Sequence, residues 1–346
     1  MKRASIAILL FLSWTWHACH AQTSHAVAFI YHQFGNDAVP QTNVPLAAFD
    51  AQLDFLERER FTVLSLGEIV TRLRSQVALP ERTVAITIDD AYRSVYNQAY
   101  PRLRRRGWPM TVFVSTDAVD ARSPALMTWR QMRELAEQGV EFANHSASHD
   151  YLIRRKPGED ASRWRERIER DIARAQTRIQ QELGTTTMLF AYPYGEYSKE
   201  LTDIVQHLGY VGIGQHSGAL WEHSDFRALP RFPVNTTYSS LDDFRTKALA
   251  LPLPVVRATP FDPVLAQSAA AVLEVELQGD AKRWRELKCY VNGQGAHEVT
   301  WLSQSPAIFR VEARQALPRG RSRYNCTAPS DQRGRYYWFS HLWIRP

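Results

Sequence analysis

Thr83-Val84-Ala85-Ile86-Thr87-Ile88-Asp89-Asp90 is the stretch from which the rest of the chain is read. Six mostly β-branched and apolar residues predict a buried strand, and the strand runs straight into two adjacent carboxylates. A second stretch, His145-Ser146-Ala147-Ser148-His149, offers two imidazoles four residues apart, just past the apolar run 140–143. A third strand-like run, 188–192, leads into the turn Pro193-Tyr194-Gly195.

Outward from these stretches the pattern alternates. Strand patterns cover 26–31, 62–65, 83–88, 110–115, 140–143, 188–192 and 211–214. Helix patterns cover 46–59, 66–74, 94–106, 129–138, 160–183, 199–207 and 239–249. The longest helix has one apolar stripe, Ile168, Ile172, Ala175, Ile179 and Leu183, with Arg and Glu on its other face and Gly184 as its stop. Such alternation predicts a parallel α/β fold of barrel type. Residues 251–263, with four prolines, read as a linker. Beyond them, 271–278, 286–291, 307–313, 323–328 and 336–344 alternate between turn residues, which predicts a small antiparallel β-sandwich over 264–346.

The chain has 346 residues and is 45% hydrophobic. That allows a large domain of about 200–250 residues beside a small one. Lys2 and Arg3 precede a short apolar run, 6–14, and small residues follow. The pattern predicts a signal peptide over 1–21, cleaved after Ala21, with lipid attachment at Cys19 as the less favoured alternative. The run is too short to span a bilayer, so the mature chain is expected in the periplasm or outside the cell, without an integral membrane span. Cys289 and Cys326 remain as a pair that would bond in an oxidising compartment, the alternative being two buried thiols. The net charge of +6 is modest and mixed in sign, which does not suggest nucleic-acid binding. A monomer is expected.

In parallel α/β barrels, reacting groups sit at the C-terminal ends of strands, and all three motifs fall there. Each motif is weak alone. Among eleven histidines a His-x-x-x-His pair arises easily by chance, adjacent aspartates usually cap helices, and Pro-Tyr-Gly is simply a good turn. Their conjunction is specific. Two imidazoles and one carboxylate suit a divalent metal, most simply zinc, with cobalt, nickel or iron as alternatives. The remaining carboxylate can take a proton from water made acidic by the metal. Spacing alone leaves open which of Asp89 and Asp90 binds.

These residues resemble the polysaccharide deacetylases with a NodB-homology domain, carbohydrate esterase family 4. The resemblance rests on Thr87-Ile88-Asp89-Asp90, on His145 to His149 and on Tyr192-Pro193-Tyr194-Gly195. Ile30-Tyr31-His32, residues 49–66 and Leu229-Pro230-Arg231-Phe232 agree with it, and the likeness covers a domain expected over 22–250. It implies a distorted (β/α) barrel with fewer than eight repeats. Asp89 would be the general base, and Asp90, His145 and His149 the metal ligands. The backbone N–H of Tyr194, next to Pro193, would help stabilise the oxyanion. The implied reaction removes acetyl groups from N-acetylglucosamine units of a polymer. O-acetyl ester hydrolysis and silent glycan binding on the same fold are the alternatives.

Two positions depart from the family. Many members have an arginine that orients the base where this chain has Phe190; Phe190-Ala191-Tyr192-Pro193-Tyr194-Gly195 resembles instead the deacetylases of poly-β-1,6-N-acetylglucosamine. That polymer is the favoured substrate, with chitin oligosaccharides and peptidoglycan as alternatives. The family's late Leu-x-His, source of the general acid, has no clear counterpart, and His216 is the substitute expected here. His32, just past the first strand and on the same barrel face, reads as a structural histidine, with lining the pocket as the alternative. Trp129, Trp221 and the C-terminal Trp284, Trp301, Trp338 and Trp343 could meet glycan, with core packing as the default.

Overall fold

The computed structural model describes residues 24–266 and 270–346. The expected export segment, with Lys2, Arg3 and Cys19, lies outside them. Nine strands form the first sheet: β1 (His25–Tyr31), β2 (Thr62–Val63), β3 (Thr83–Ile88), β4 (Thr111–Val114), β5 (Glu141–Asn144), β6 (Leu189–Ala191), β7 (Val211–Ile213), β8 (Ala219–Trp221) and β9 (Phe232–Pro233). Their order is β8-β1-β3-β4-β5-β6-β7, with β2 against β3 and β9 against β1. The pairings are parallel except that of β8 with β1. β3 is buried along its whole length, which is why it reads as a continuous apolar run rather than an alternating one.

The sheet curls into an incomplete barrel. Leu229 bridges to Ile213 at the end of β7, and three residues later Phe232 pairs with Phe29 of β1. The 229–232 segment thus spans the gap between the first and last parallel strands. The helices are α1 (Leu46–Arg58), α2 (Leu66–Arg74), α3 (Tyr100–Arg104), α4 (Thr116–Asp120), α5 (Trp129–Ala136), α6 (Ala161–Leu183), α7 (Lys199–His207) and α8 (Leu241–Ala248). In α6 the Asp160 side chain accepts from the Arg163 N–H, Gly184 takes a left-handed conformation, and Trp164, Ile168, Ile172, Ala175 and Ile179 face the core. The helix expected over 94–106 is divided: Val95–Ala99 is a π-helical turn before α3. Pro101 cannot donate a backbone hydrogen bond, so a regular register through it is lost.

The C-terminal strands are β10 (Leu251–Pro252), β11 (Val255–Thr259), β12 (Val272–Leu277), β13 (Lys288–Val291), β14 (Gly295–Glu298), β15 (Thr300–Ser303), β16 (Ala307–Glu312), β17 (Gly320–Pro329) and β18 (Tyr336–Arg345). They form two sheets, β10-β18-β17-β13-β14 and β11-β12-β16-β15, around a separate core. Residues 251–263 therefore depart from the expected linker: β10 pairs with β18 and β11 with β12. Pro252 and Pro254 disguised this, yet β10 lies at a sheet edge and Pro254 between strands, places where a missing N–H is tolerated. Cys289 and Cys326 face each other across β13 and β17 and are disulfide-bonded, both fully buried.

The tryptophans mostly take core or packing roles. Trp284 and Trp343 are buried in the sandwich. Trp129 donates to Asp120 under the guanidinium of Arg178. Trp338 of β18 packs edge-on against Phe232 of the barrel, at 5.1 Å between rings, and Arg335 donates to the Leu249 carbonyl. The two units share these contacts.

Candidate metal centre and active site

The Asp89 N–H donates to the Tyr31 carbonyl at 2.9 Å, so the carboxylate is fixed by the β1–β3 ladder. The chain then reverses, with Asp90 at φ +71° and Ala91 at φ +53°. This reversal separates the two carboxylates. Asp89 turns into the barrel, where Arg231 grips it through a fork, Nη1 to Oδ1 at 2.7 Å and Nη2 to Oδ2 at 2.9 Å. Arg231 also donates to the Gly214 carbonyl and to the Thr87 hydroxyl. Neither side chain of the pair touches solvent. Burial pushes the Asp89 carboxyl up, but Arg231 and His145 outweigh it, and the net shift is downward. Asp89 is a carboxylate at neutral pH.

Asp90 faces the histidines instead. Its Oδ1 lies 3.1 Å from His149 Nε2 and 3.5 Å from His145 Nε2. One ligand atom from each of Asp90, His145 and His149 falls within 4.8 Å of the others. His145 Nδ1 is 2.8 Å from the Ala191 carbonyl, which fixes the proton there and leaves the Nε2 lone pair directed at the cluster. Burial pushes the Asp90 carboxyl up, yet the two imidazoles hold it well below the usual range. One oxygen and two nitrogen donors, with room for water, fit a divalent cation such as zinc.

The histidine loop is held from below. Ser146 and His149 have φ of +67° and +54°, each an unfavourable conformation for a residue with a side chain. Asn144 Oδ1 accepts from the Ser146 N–H, and Ser146 Oγ from the His149 N–H. Asp171 of α6 accepts from the N–H groups of Ala147 and Ser148 at 3.0 and 3.2 Å. Across the cluster, Pro193 is buried, and Tyr194 has φ +60° with its ring 4.7 Å from that of His149. Tyr151 stacks on Tyr194 at 4.0 Å, and Arg321 of β17 donates to the Tyr194 carbonyl.

The structure brings together Asp89, Asp90, His145, His149, Pro193 and Tyr194. It does not bring His216 to them, which corrects the expected general acid. Gln215 donates to Asp89 at 3.4 Å, while its neighbour His216 turns the other way. His216 packs 6.0 Å from the Tyr197 ring and lines a separate cavity. The chain bends at Gln215 and His216, and of the two only Gln215 bonds to Asp89.

Two participants, Arg231 and Tyr92, escaped the sequence. Arg231 stood in a segment assigned only to closing the domain, and its partner is 142 residues away. The missing arginine at position 190 was the available signal: buried Asp89 needs a cation, and Arg231 supplies it from the segment just before β9. His32, expected to be structural with pocket lining as the alternative, lies within electrostatic reach of the site. Burial pulls its imidazole down, while Asp90, Asp89, Arg231 and His145 all act on its charge. Tyr92 also adjoins Asp90, its hydroxyl pushed up to about 12 by burial and by that carboxylate.

Residues 76–213 match the family model for polysaccharide deacetylases. The poly-β-1,6-N-acetyl-D-glucosamine N-deacetylase of Escherichia coli strain K12 is 26% identical over 262 residues, 65% of this chain and 38% of its own. Bacillus subtilis YxkH is 26% identical over 193 residues, 56% of this chain and 66% of its own. The chain thus spans under two thirds of the length of both relatives. Among solved structures, IcaB from Ammonifex degensii superposes with a TM-score of 0.55 at 24% identity, over 66% of this chain and 97% of that one. The Streptococcus pyogenes deacetylase PplD gives 0.56 at 23%, over 63% and 95%. At these identities the superpositions establish the fold, a curled α/β half-barrel to which this chain adds a β-sandwich. The Asp89-Asp90 pair, the histidine loop and the Pro193 turn gather on one rim of that barrel, and the segment that holds them, residues 76–213, is similar to the polysaccharide deacetylases.

Proposed function

We propose that the protein is an exported, metal-dependent N-deacetylase that removes acetyl groups from N-acetylglucosamine units of a polysaccharide, poly-β-1,6-N-acetylglucosamine being the favoured polymer. One observation carries the reading: the three convergent donors of Asp90, His145 and His149 lie beside a second, fully buried carboxylate that Arg231 keeps ionised. A divalent cation held by the three donors would supply Lewis acidity to water and to the amide carbonyl. Asp89 accepts the proton of the attacking water, and the Arg231 fork fixes the direction of its oxygens. The Tyr194 N–H is directed at the developing oxyanion by the left-handed turn after Pro193. The proton that Asp89 accepts returns to the departing amine as the C–N bond breaks, which balances the step within this one carboxylate. The relatives' names support the polymer, and the Cys289–Cys326 disulfide supports an oxidising compartment, with residues 1–21 as the export signal. The domain order proposed is that signal, the deacetylase barrel to about residue 250, and the sandwich from β10 onward, the boundaries following the strand pairings.

Acetate release from β-1,6- and β-1,4-linked N-acetylglucosamine oligomers, with and without chelator, tests this. Release by the zinc-loaded chain, faster on the β-1,6 series, is expected to disappear with chelator and to return with added zinc. Background release under all conditions overturns the enzyme reading, and a preference for β-1,4 oligomers overturns the choice of polymer.

A further inference from the structure

A cavity of about 470 Å³ lies between the barrel and the sandwich, within the size range of small-molecule sites. Barrel residues including Trp221 and Ser217 form one wall, and sandwich residues including Trp338 and Ser340 the other. His216 and His341 line it, both more than nine-tenths buried, and each leaves one ring nitrogen without a hydrogen-bond partner. Burial pulls both imidazoles down to about 3, so they are neutral.

The charges in the lining narrow the ligand. Asp225 is the only acid among the described lining residues, and Arg227 engages both its oxygens, Nε donating to Oδ1 and Nη2 to Oδ2. A cationic amine would find no free carboxylate. The other lining arginine, Arg257, pairs with Glu276 at 3.3 Å, so an anion would have to displace an existing partner. What remains is a neutral ligand with apolar faces and many hydroxyls, matched by aromatic rings, serine hydroxyls and imidazoles that lack partners. We propose that this cavity holds one uncharged N-acetylated sugar unit of the polymer, a second glycan subsite on the far side of the 214–217 segment from the metal centre. The proposal rests on the deacetylase reading for the identity of the polymer. The sandwich then supplies half of the subsite and retains acetylated stretches in preference to deacetylated ones, whose amines are cationic.

Calorimetric titration of the zinc-loaded full chain carrying Asp89→Asn, with a β-1,6-linked N-acetylglucosamine pentamer and with its fully deacetylated counterpart, tests it. Val256, exposed at the cavity wall, and His341 are the positions to change. Val256→Trp obstructs the cavity from an exposed strand position, and His341→Phe removes the polar atom while keeping a ring. Each is expected to weaken pentamer binding about 5- to 10-fold. In chains that retain Asp89, KM should rise and kcat should hold. His341→Phe should not lower the melting temperature, since it deletes an unpaired buried nitrogen. Pentamer binding unchanged in both variants, equal binding of the deacetylated pentamer, or no binding by the parent overturns the subsite. Loss of binding in the variants without acetate release by the Asp89 chain upholds the subsite and overturns the enzyme reading instead.

Discussion

Asp89 has no solvent contact, and its ionisation is favoured first by a guanidinium brought from 142 residues away, with His145 adding to it. Asp89→Asn keeps the shape and loses the proposed base, so acetate release should fall at least about 10²-fold with zinc content unchanged, as measured by turnover and metal analysis. Arg231→Met leaves a buried carboxylate without its partner, and urea unfolding should show a loss of about 3–5 kcal/mol. Lysine at 231 cannot reproduce the fork to both oxygens and should also depress turnover. The sequence displayed Asp89, Asp90, His145 and His149 because they sit at strand ends in recognisable runs. It hid Arg231 because its role is set by a through-space partner. The misassignment of His216 has the same root: a one-residue difference in direction along 214–217 exchanges Gln215 for His216 at Asp89, and composition carries no trace of it.

Among the elements, α6 does more than cover the sheet. Its Asp171 accepts from two N–H groups of the histidine loop, and its N-terminal approach is tied by Arg167 to Glu159 at 2.6 and 2.8 Å. Asp171→Ala should lower zinc affinity about 10–100-fold in competition with a chelating dye, because the ligands lose the support that orients them. Hydrogen bonding from Arg167 lowers the Glu159 carboxyl from its ordinary 4.5 to about 2. A depressed carboxyl contributes stability above its unfolded value, and the contribution fades as pH falls from about 4.5 through about 2. The melting temperature of the native chain should therefore exceed that of Glu159→Gln at pH 6, with the gap closing by pH 2. The apolar stripe and Gly184 stop made α6 legible from sequence. The short β10 was not, since two prolines in four residues carry a stronger local signal than a two-residue edge strand.

For the molecule as a whole, the disulfide closes a loop with a sequence separation of 37 between two neighbouring strands. Replacing Cys289 and Cys326 together by alanine should cost about 3–4 kcal/mol in urea unfolding while leaving kcat unchanged, because the bond lies in the sandwich, apart from the metal centre. Arg321 crosses from the sandwich to the Tyr194 carbonyl, so the second unit also steadies the turn proposed to present the oxyanion donor. Arg321→Ala should lower kcat several-fold, with lysine at that position restoring part of the loss. The alternating and β-rich textures announced two units, but not their joint packing through Trp338, Phe232 and Leu249. That packing has a practical corollary for anyone who would excise the barrel. A chain cut at 250 forfeits β10 and bares the ring of Phe232, leaving a greasy scar where β18 had been. Such a fragment should precipitate or demand a solubilising fusion, whereas the uncut chain should not.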